Sequence, residues 1–171
     1  MIITFNEKEK YLIRQTGSLA REFFEYYGHE ENGKVDSPDN WANNHILGQA
    51  GEFAVSKLLG KEWQPRLNAR KSKADIGDYF EVRQTTYADG HLILTKEDNP
   101  RAFYILVTGQ LPTFNIVGGQ FGYHVKKAYP LEDKGNRGKL AHFCPQSDLI
   151  KGLSKEKLLK IEQFCKDGFK V

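Results

Sequence analysis

The chain has 171 residues, is 39% hydrophobic and 27% charged, and carries a net charge of +3. This length and balance fit one domain, 1–171, with a real core, and exclude a disordered or collagen-like chain. No run is long and apolar enough to span a bilayer, so no membrane partner is expected. The first residues, Met1 to Glu7, lack the basic and apolar regions of a secretory signal, so the expected compartment is the cytoplasm. Cys144 and Cys165 have no metal-ligand spacing and read as reduced thiols.

The net charge hides an asymmetry. Residues 126–171 hold 11 Lys/Arg against 6 Asp/Glu, while residues 1–125 hold 14 against 16. Within the latter, Lys57, Lys61, Arg66, Arg70, Lys71 and Lys73 form a local basic stretch broken by Glu62. Cations of this kind suit phosphates, although a solvated Lys-rich face has the same composition.

Residues 1–45 are expected to form an N-terminal helix and a loop. Asn6 caps the helix, Glu9 completes a capping box, and Leu12, Leu19, Phe23 and Tyr26 recur on one apolar face. Gly28 is its expected stop. His29 to Asn44 is polar and turn-rich, with Ser37-Pro38 as a breaker, and predicts a loop anchored by Trp41. His45 to Leu59 predicts a second helix ended by Gly60, with Gly48, Ala50 and Gly51 leaving room for another backbone. Glu52 there is explained equally by the helix dipole of a first turn.

Glu62 to Leu67 predicts a short strand. Tyr79 to Thr85 alternates as a strand does, with Glu81, Arg83 and Thr85 on one face and Phe80 and Val82 on the other. Gly77-Asp78 signals a turn that brings Asp75 back beside Glu81 and Arg83. Further strands are expected at Leu92 to Leu94, Ala102 to Thr108, from Phe114 to Val117, and at Leu140 to Phe143. Asp89-Gly90 and Gly109 to Pro112 are the turns between. Gly118-Gly119 and the basic loop around Arg137 and Lys139 lack phosphate-loop spacing. Ser154 caps a final helix to about Asp167, with Leu158, Ile161 and Cys165 inward and Gly168 as its stop.

Two carboxylates on a rigid strand can hold a hard cation through oxygen ligands, and a neighbouring cation can stabilise charge building on phosphorus. A surface hairpin with scattered charges reads the same from spacing alone. Gln84, on the alternate face, suits packing or a sheet-edge contact; His91 and His124 are isolated histidines with no metal-ligand spacing.

Asp75, then Glu81-Val82-Arg83, resembles the signature of the PD-(D/E)XK nuclease superfamily. Gly48 to Val55 resembles its first core helix, whose Glu would here be Glu52. Segments at 90–93, 104–109, 114–119 and 145–149 extend the likeness to a phage- and prophage-type group, over about 46–149. Ala74 stands in place of the motif's Pro, and Arg83 in place of its Lys. Arg keeps its proton and serves as a charge and a fork of donors.

The resemblance implies an α/β, restriction-endonuclease-like core: a small mixed sheet flanked by helices, with the core at 46–149 and a C-terminal helix in 150–171. It implies a hydrolase that cuts DNA, or RNA by the same chemistry, in a bacterial or phage-infected cell. Asp75, Glu81, the Val82 carbonyl and Glu52 would hold Mg²⁺ or Mn²⁺, and Arg83 would stabilise the transition state. Arg66, Arg70, Lys71, Lys73, Arg137 and Lys139 would contact the nucleic acid. One chain carries one such site, so cutting both strands of a duplex takes a homodimer or two events. The Arg83 replacement motivates one alternative, an inactive fold that binds nucleic acid; another is a phage-type protein that uses the fold only as a scaffold to bind a host protein.

Overall fold

A computed structural model describes residues 1–27, 30–31, 34–35, 37–65, 74–134 and 138–168. In chain order the elements are β1 (Ile2–Thr4), α1 (Glu7–Tyr27), β2 (Glu30–Glu31), β3 (Lys34–Val35), α2 (Pro38–Leu59), β4 (Phe80–Thr85), β5 (Leu92–Thr95), β6 (Phe103–Gln110), β7 (Thr113–Phe121), α3 (Gly122–Ala128), β8 (Ala141–Cys144), a 3₁₀ turn (Gln146–Asp148) and α4 (Lys155–Lys166). The fold is α/β, with a mixed four-stranded sheet ordered β1-β7-β6-β4. β4 runs parallel to β6, while β6–β7 and β7–β1 are antiparallel. Small antiparallel pairs, β5–β8 and β2–β3, lie outside that sheet.

Strand alternation divides the core in two. Phe80, Val82, Phe103, Ile105, Val107, Phe114 and Ile116 face one side with α2 residues Ala50, Ala54, Val55 and Leu59 and α4 residues Leu158, Ile161 and Cys165. Tyr104 and Leu106 face the other side, against Leu92, Leu94, Val125 and Cys144. Glu81 and Arg83 therefore project toward the second side, at the edge of the sheet where β4 has no outer partner strand among the described residues.

Gly51 lets α2 approach β4 closely, since a Cβ there would lie 3.2 Å from the Gln84 Cβ and 3.4 Å from a Val82 methyl. Gly48 faces open space. Gln84 packs into this seam and donates to the Gly109 carbonyl at 2.8 Å, as its alternate position suggested.

The capping box at the start of α1 forms: Asn6 N–H donates to Glu9, and Glu9 N–H donates to the Asn6 side chain, both at 2.9 Å. Its apolar phase differs from expectation. Ile13, Thr16, Gly17 and Ala20 are buried, whereas Leu12, Leu19 and Tyr26 are exposed. Packing against α2 selects this face, because Gly17 leaves room for Ile46, whose Cδ1 would stand 2.3 Å from a Cβ there. Phe23 is half-buried and stacks on Trp41, which also stacks on His45.

The expected loop over 29–44 is replaced at its described positions by the β2–β3 pair and the start of α2. Ser37-Pro38 starts that helix. The Ser37 hydroxyl accepts from Asn40 N–H at 3.2 Å, and proline at the first helical position forfeits no helical hydrogen bond. Glu52 consequently lies well inside α2, and the first-turn explanation for it falls. Gly60 closes α2 at φ 66°. No strand forms over the described 61–65, where Trp63 instead stacks on Phe53 at 4.6 Å. The other expected strands form with small boundary shifts, and β7 continues through Gly118-Gly119. Ser154 caps α4, whose inward face carries Leu158, Ile161 and Cys165 as expected. β1 and the seven-residue α3 are elements without a counterpart in the expected order.

Candidate active site

The site is built on the first half of β4. The chain reaches it through a tight bend in which Ile76 and Phe80 bridge antiparallel and Gly77 has φ 63°. The bend returns Asp75 alongside the strand, where its Oδ2 accepts the Val82 N–H at 2.8 Å. Asp75 thus occupies the hydrogen-bonding position that a neighbouring strand would fill. It also lines a cleft of about 100 Å³ with Ser56, Lys61, Trp63 and Gln64.

Glu81 stands beside Asp75 and is only 21% exposed. Burial, and then the adjacent Asp75 charge, push its carboxyl up to about 7; Arg83 opposes that rise. Two carboxyls this close resist ionising together in a partly desolvated site.

Arg83 is held on several sides. It meets Asp98 at 2.9 Å and Glu81 at 3.5 Å, donates to the Val82 carbonyl at 3.3 Å, and lies 5.0 Å from the Tyr104 ring centre. Burial alone would lower its pKa, but Asp98 and Glu81 outweigh that and raise it. Burial and the same two acids also raise the Tyr104 hydroxyl, which donates to the Asn99 carbonyl at 3.1 Å.

Asp98 is the member that sequence reading missed. It lies fifteen positions beyond Arg83, in a turn with no distinguishing motif. The Thr95 N–H holds its other carboxylate oxygen at 2.8 Å, and the Lys126 ammonium bonds its backbone carbonyl. Its ion pair fixes where the Arg83 charge stands.

The structure therefore brings Asp75, Glu81, Val82 and Arg83 together. Glu52 projects from the α2 stripe that also carries Gln49 and Ser56, and accepts from Gln49 at 3.0 Å. Ser56 reaches the Asp75 cleft, which puts Glu52 one turn away on the same helix face. Of the expected nucleic-acid contacts, Lys139 is exposed; Arg66, Arg70, Lys71, Lys73 and Arg137 lie outside the described residues. His91 is exposed and packs edge-on against Phe143.

Asp75, Glu81 and the Val82 carbonyl form an all-oxygen donor set with carboxylate charge to offset, which fits Mg²⁺ or Mn²⁺. Among the described residues no three His, Cys, Asp or Glu side chains converge into a metal cage. Mg²⁺ does not require one, since it commonly binds one or two carboxylates and keeps waters or substrate phosphates as its remaining ligands. No helix among the described residues is long and apolar enough to cross a membrane. No family model, curated protein or solved structure matches the chain.

Proposed function

We propose that the protein is a metal-dependent nuclease that hydrolyses phosphodiester bonds in DNA, on a restriction-endonuclease-like plan. The observation that carries this reading is the Asp75–Glu81 pair at the open edge of β4, with the Arg83 charge 3.5 Å from Glu81. Asp75, Glu81 and the Val82 carbonyl would hold Mg²⁺ or Mn²⁺, with Glu52 reaching toward the same edge from α2. When bound, the ion supplies charge to a phosphate oxygen and lowers the pKa of an attacking water. Without the ion, burial beside Asp75 favours the protonated Glu81 carboxyl, so binding the ion would require Glu81 to give up that proton. Arg83 offers a permanent positive charge to the phosphoryl oxygens, with Asp98 setting its position.

A specific observation favours a second reading. Arg83 stands where a lysine would be expected, cannot shed its proton, and is already paired with Asp98. This supports a nuclease-like protein that binds nucleic acid without cutting.

The deciding assay incubates the protein with supercoiled, linear and single-stranded DNA and with RNA, with Mg²⁺, Mn²⁺ or chelator. Metal-dependent cutting lost in Asp75→Ala and Glu81→Ala supports the nuclease. Full activity in Asp75→Ala overturns it. Salt-sensitive binding without cutting favours the second reading.

A further inference from the structure

The strand end that carries the carboxylate pair continues into a surface of different chemistry. Tyr79 immediately precedes β4, and Arg101 lies just before β6. Together with Cys165, Lys166 and Gly168 at the end of α4 they line a cleft of about 320 Å³. Arg101 is exposed and has no ion-pair partner among the described residues; the Lys166 side chain is 48% exposed, with its ammonium 4.0 Å from Glu162.

Further aromatic rings connect to the lining residues through chain adjacency, at Phe164–Cys165 and at Pro100–Arg101. Phe164, next to Cys165, is 47% exposed and packs against Phe121 at 5.4 Å. Phe121 also contacts Tyr123 and His124, which pack on each other at 4.1 Å. The Tyr123 N–H donates to the Pro100 carbonyl at 2.8 Å, tying these rings to the loop that carries Arg101. Beyond His124 lies another cleft, of about 400 Å³, to which Lys127 adds a further exposed cation. The acid lining that cleft, Asp148, is engaged by the Tyr129 and Ser147 hydroxyls.

We propose that this surface, made of Tyr79, Arg101, Phe164 and Lys166 and extended by Tyr123 and His124, binds single-stranded DNA. The cations match a phosphate backbone. Of the surface's rings, Phe164 and His124 are exposed, while Tyr79 and Tyr123 are half-buried; an exposed ring face matches an unpaired base, whose faces a duplex keeps stacked inside. Tyr79 is two residues from Glu81, about 7 Å along an extended chain, so this surface lies at the end of the strand that carries Glu81. The choice of DNA rests on the nuclease reading; the charge and ring pattern do not.

The test measures binding of a labelled oligo-dT of about 15 nucleotides by fluorescence anisotropy, in chelator and across salt. The wild type should bind it more tightly than a duplex of equal length. Arg101→Gln combined with Lys166→Gln should weaken binding at least tenfold. It should also flatten the log–log salt dependence by about 1.4, at roughly 0.7 per single-strand phosphate contact. Phe164→Ala should weaken binding about tenfold with the salt slope unchanged. Should loss of the Phe121 contact unfold that variant, the exposed double-Gln variant decides alone.

Unchanged affinity and slope in the double variant overturn the proposal. So does a duplex, or polyglutamate at matched charge, that binds as well as the oligo-dT. The two readings fail separately. Cleavage lost in Asp75→Ala with no effect from the surface variants retires only the surface. Oligo-dT binding that responds to those variants, with no cutting of any substrate, supports the surface and retires the nuclease.

Discussion

Glu81→Gln isolates the electrostatic cost of the carboxylate pair. The substitution keeps the side chain's shape and removes its charge. Glu81 titrates near 7 in the folded protein against an ordinary 4.5, because it is buried beside Asp75. Its folded-state pKa is raised, so its contribution to stability is complete below 4.5 and is lost as pH rises through about 7. At ~1.4 kcal/mol per pH unit, the full loss is about 3 kcal/mol. The side chain is only 21% exposed, so solvent screening trims this figure modestly. Urea unfolding of wild type and Glu81→Gln, from about pH 4 to about pH 8, should show the variant gaining by up to about 3 kcal/mol across that window. The variant weakens one contact to Arg83, at 3.5 Å, but leaves the shorter 2.9 Å contact to Asp98. The charge-dependent part of that contact is already contained in the Glu81 shift, which Arg83 opposes, so the Glu81 effect still reads as a slope with pH. A stability difference that stays flat with pH refutes the strained pair.

Mn²⁺ should raise the melting temperature of the wild type above pH 7 and do little at pH 5, where Glu81 holds its proton; at a hundredfold excess over its dissociation constant the gain is about 2.7 kcal/mol. An equal rise in Asp75→Asn would show that the metal binds elsewhere. Asp98→Asn should cost about 1–3 kcal/mol, because it leaves the half-buried Arg83 charge less well paired. If the reading is right it should also reduce kcat more than it raises KM, whereas a purely structural role would leave kcat per folded molecule unchanged. Gly51→Ala should cost about 1–3 kcal/mol by widening the α2–β4 seam, offset by up to ~1 kcal/mol of helix propensity, as read by thermal unfolding. A stabilised Gly51→Ala protein would show that Gln84 yields without cost.

Local chemistry made much of this molecule legible. The Asn6–Glu9 box, the Ser154 cap and the Gly60 and Gly168 stops involve only neighbours in sequence, and each appears where its residue types require. Alternation along 79–85 placed Glu81 and Arg83 on one face because a strand's period is two. The Gly77 turn made the return of Asp75 readable for the same local reason.

Contacts between distant segments decided the rest. Helical spacing in α1 permits more than one apolar stripe, and the fit of Gly17 to Ile46 chose the face bearing Ile13 and Ala20. Ser37-Pro38 can end one segment or begin the next, and in the fold Ser37 caps α2 through Asn40 N–H, with Pro38 as its first residue. The sequence by itself determined which carboxylates could meet: Asp75 and Glu81 lie within one turn of each other along the chain. Only the tertiary structure decided what surrounds them. Tyr104 reaches Arg83 through the parallel pairing of β4 with β6, Asp98 reaches it from the turn between β5 and β6, and burial together with Asp75 raises the Glu81 carboxyl to about 7. Charge, burial and long-range pairing act through space, so a local sequence pattern carries none of them in advance.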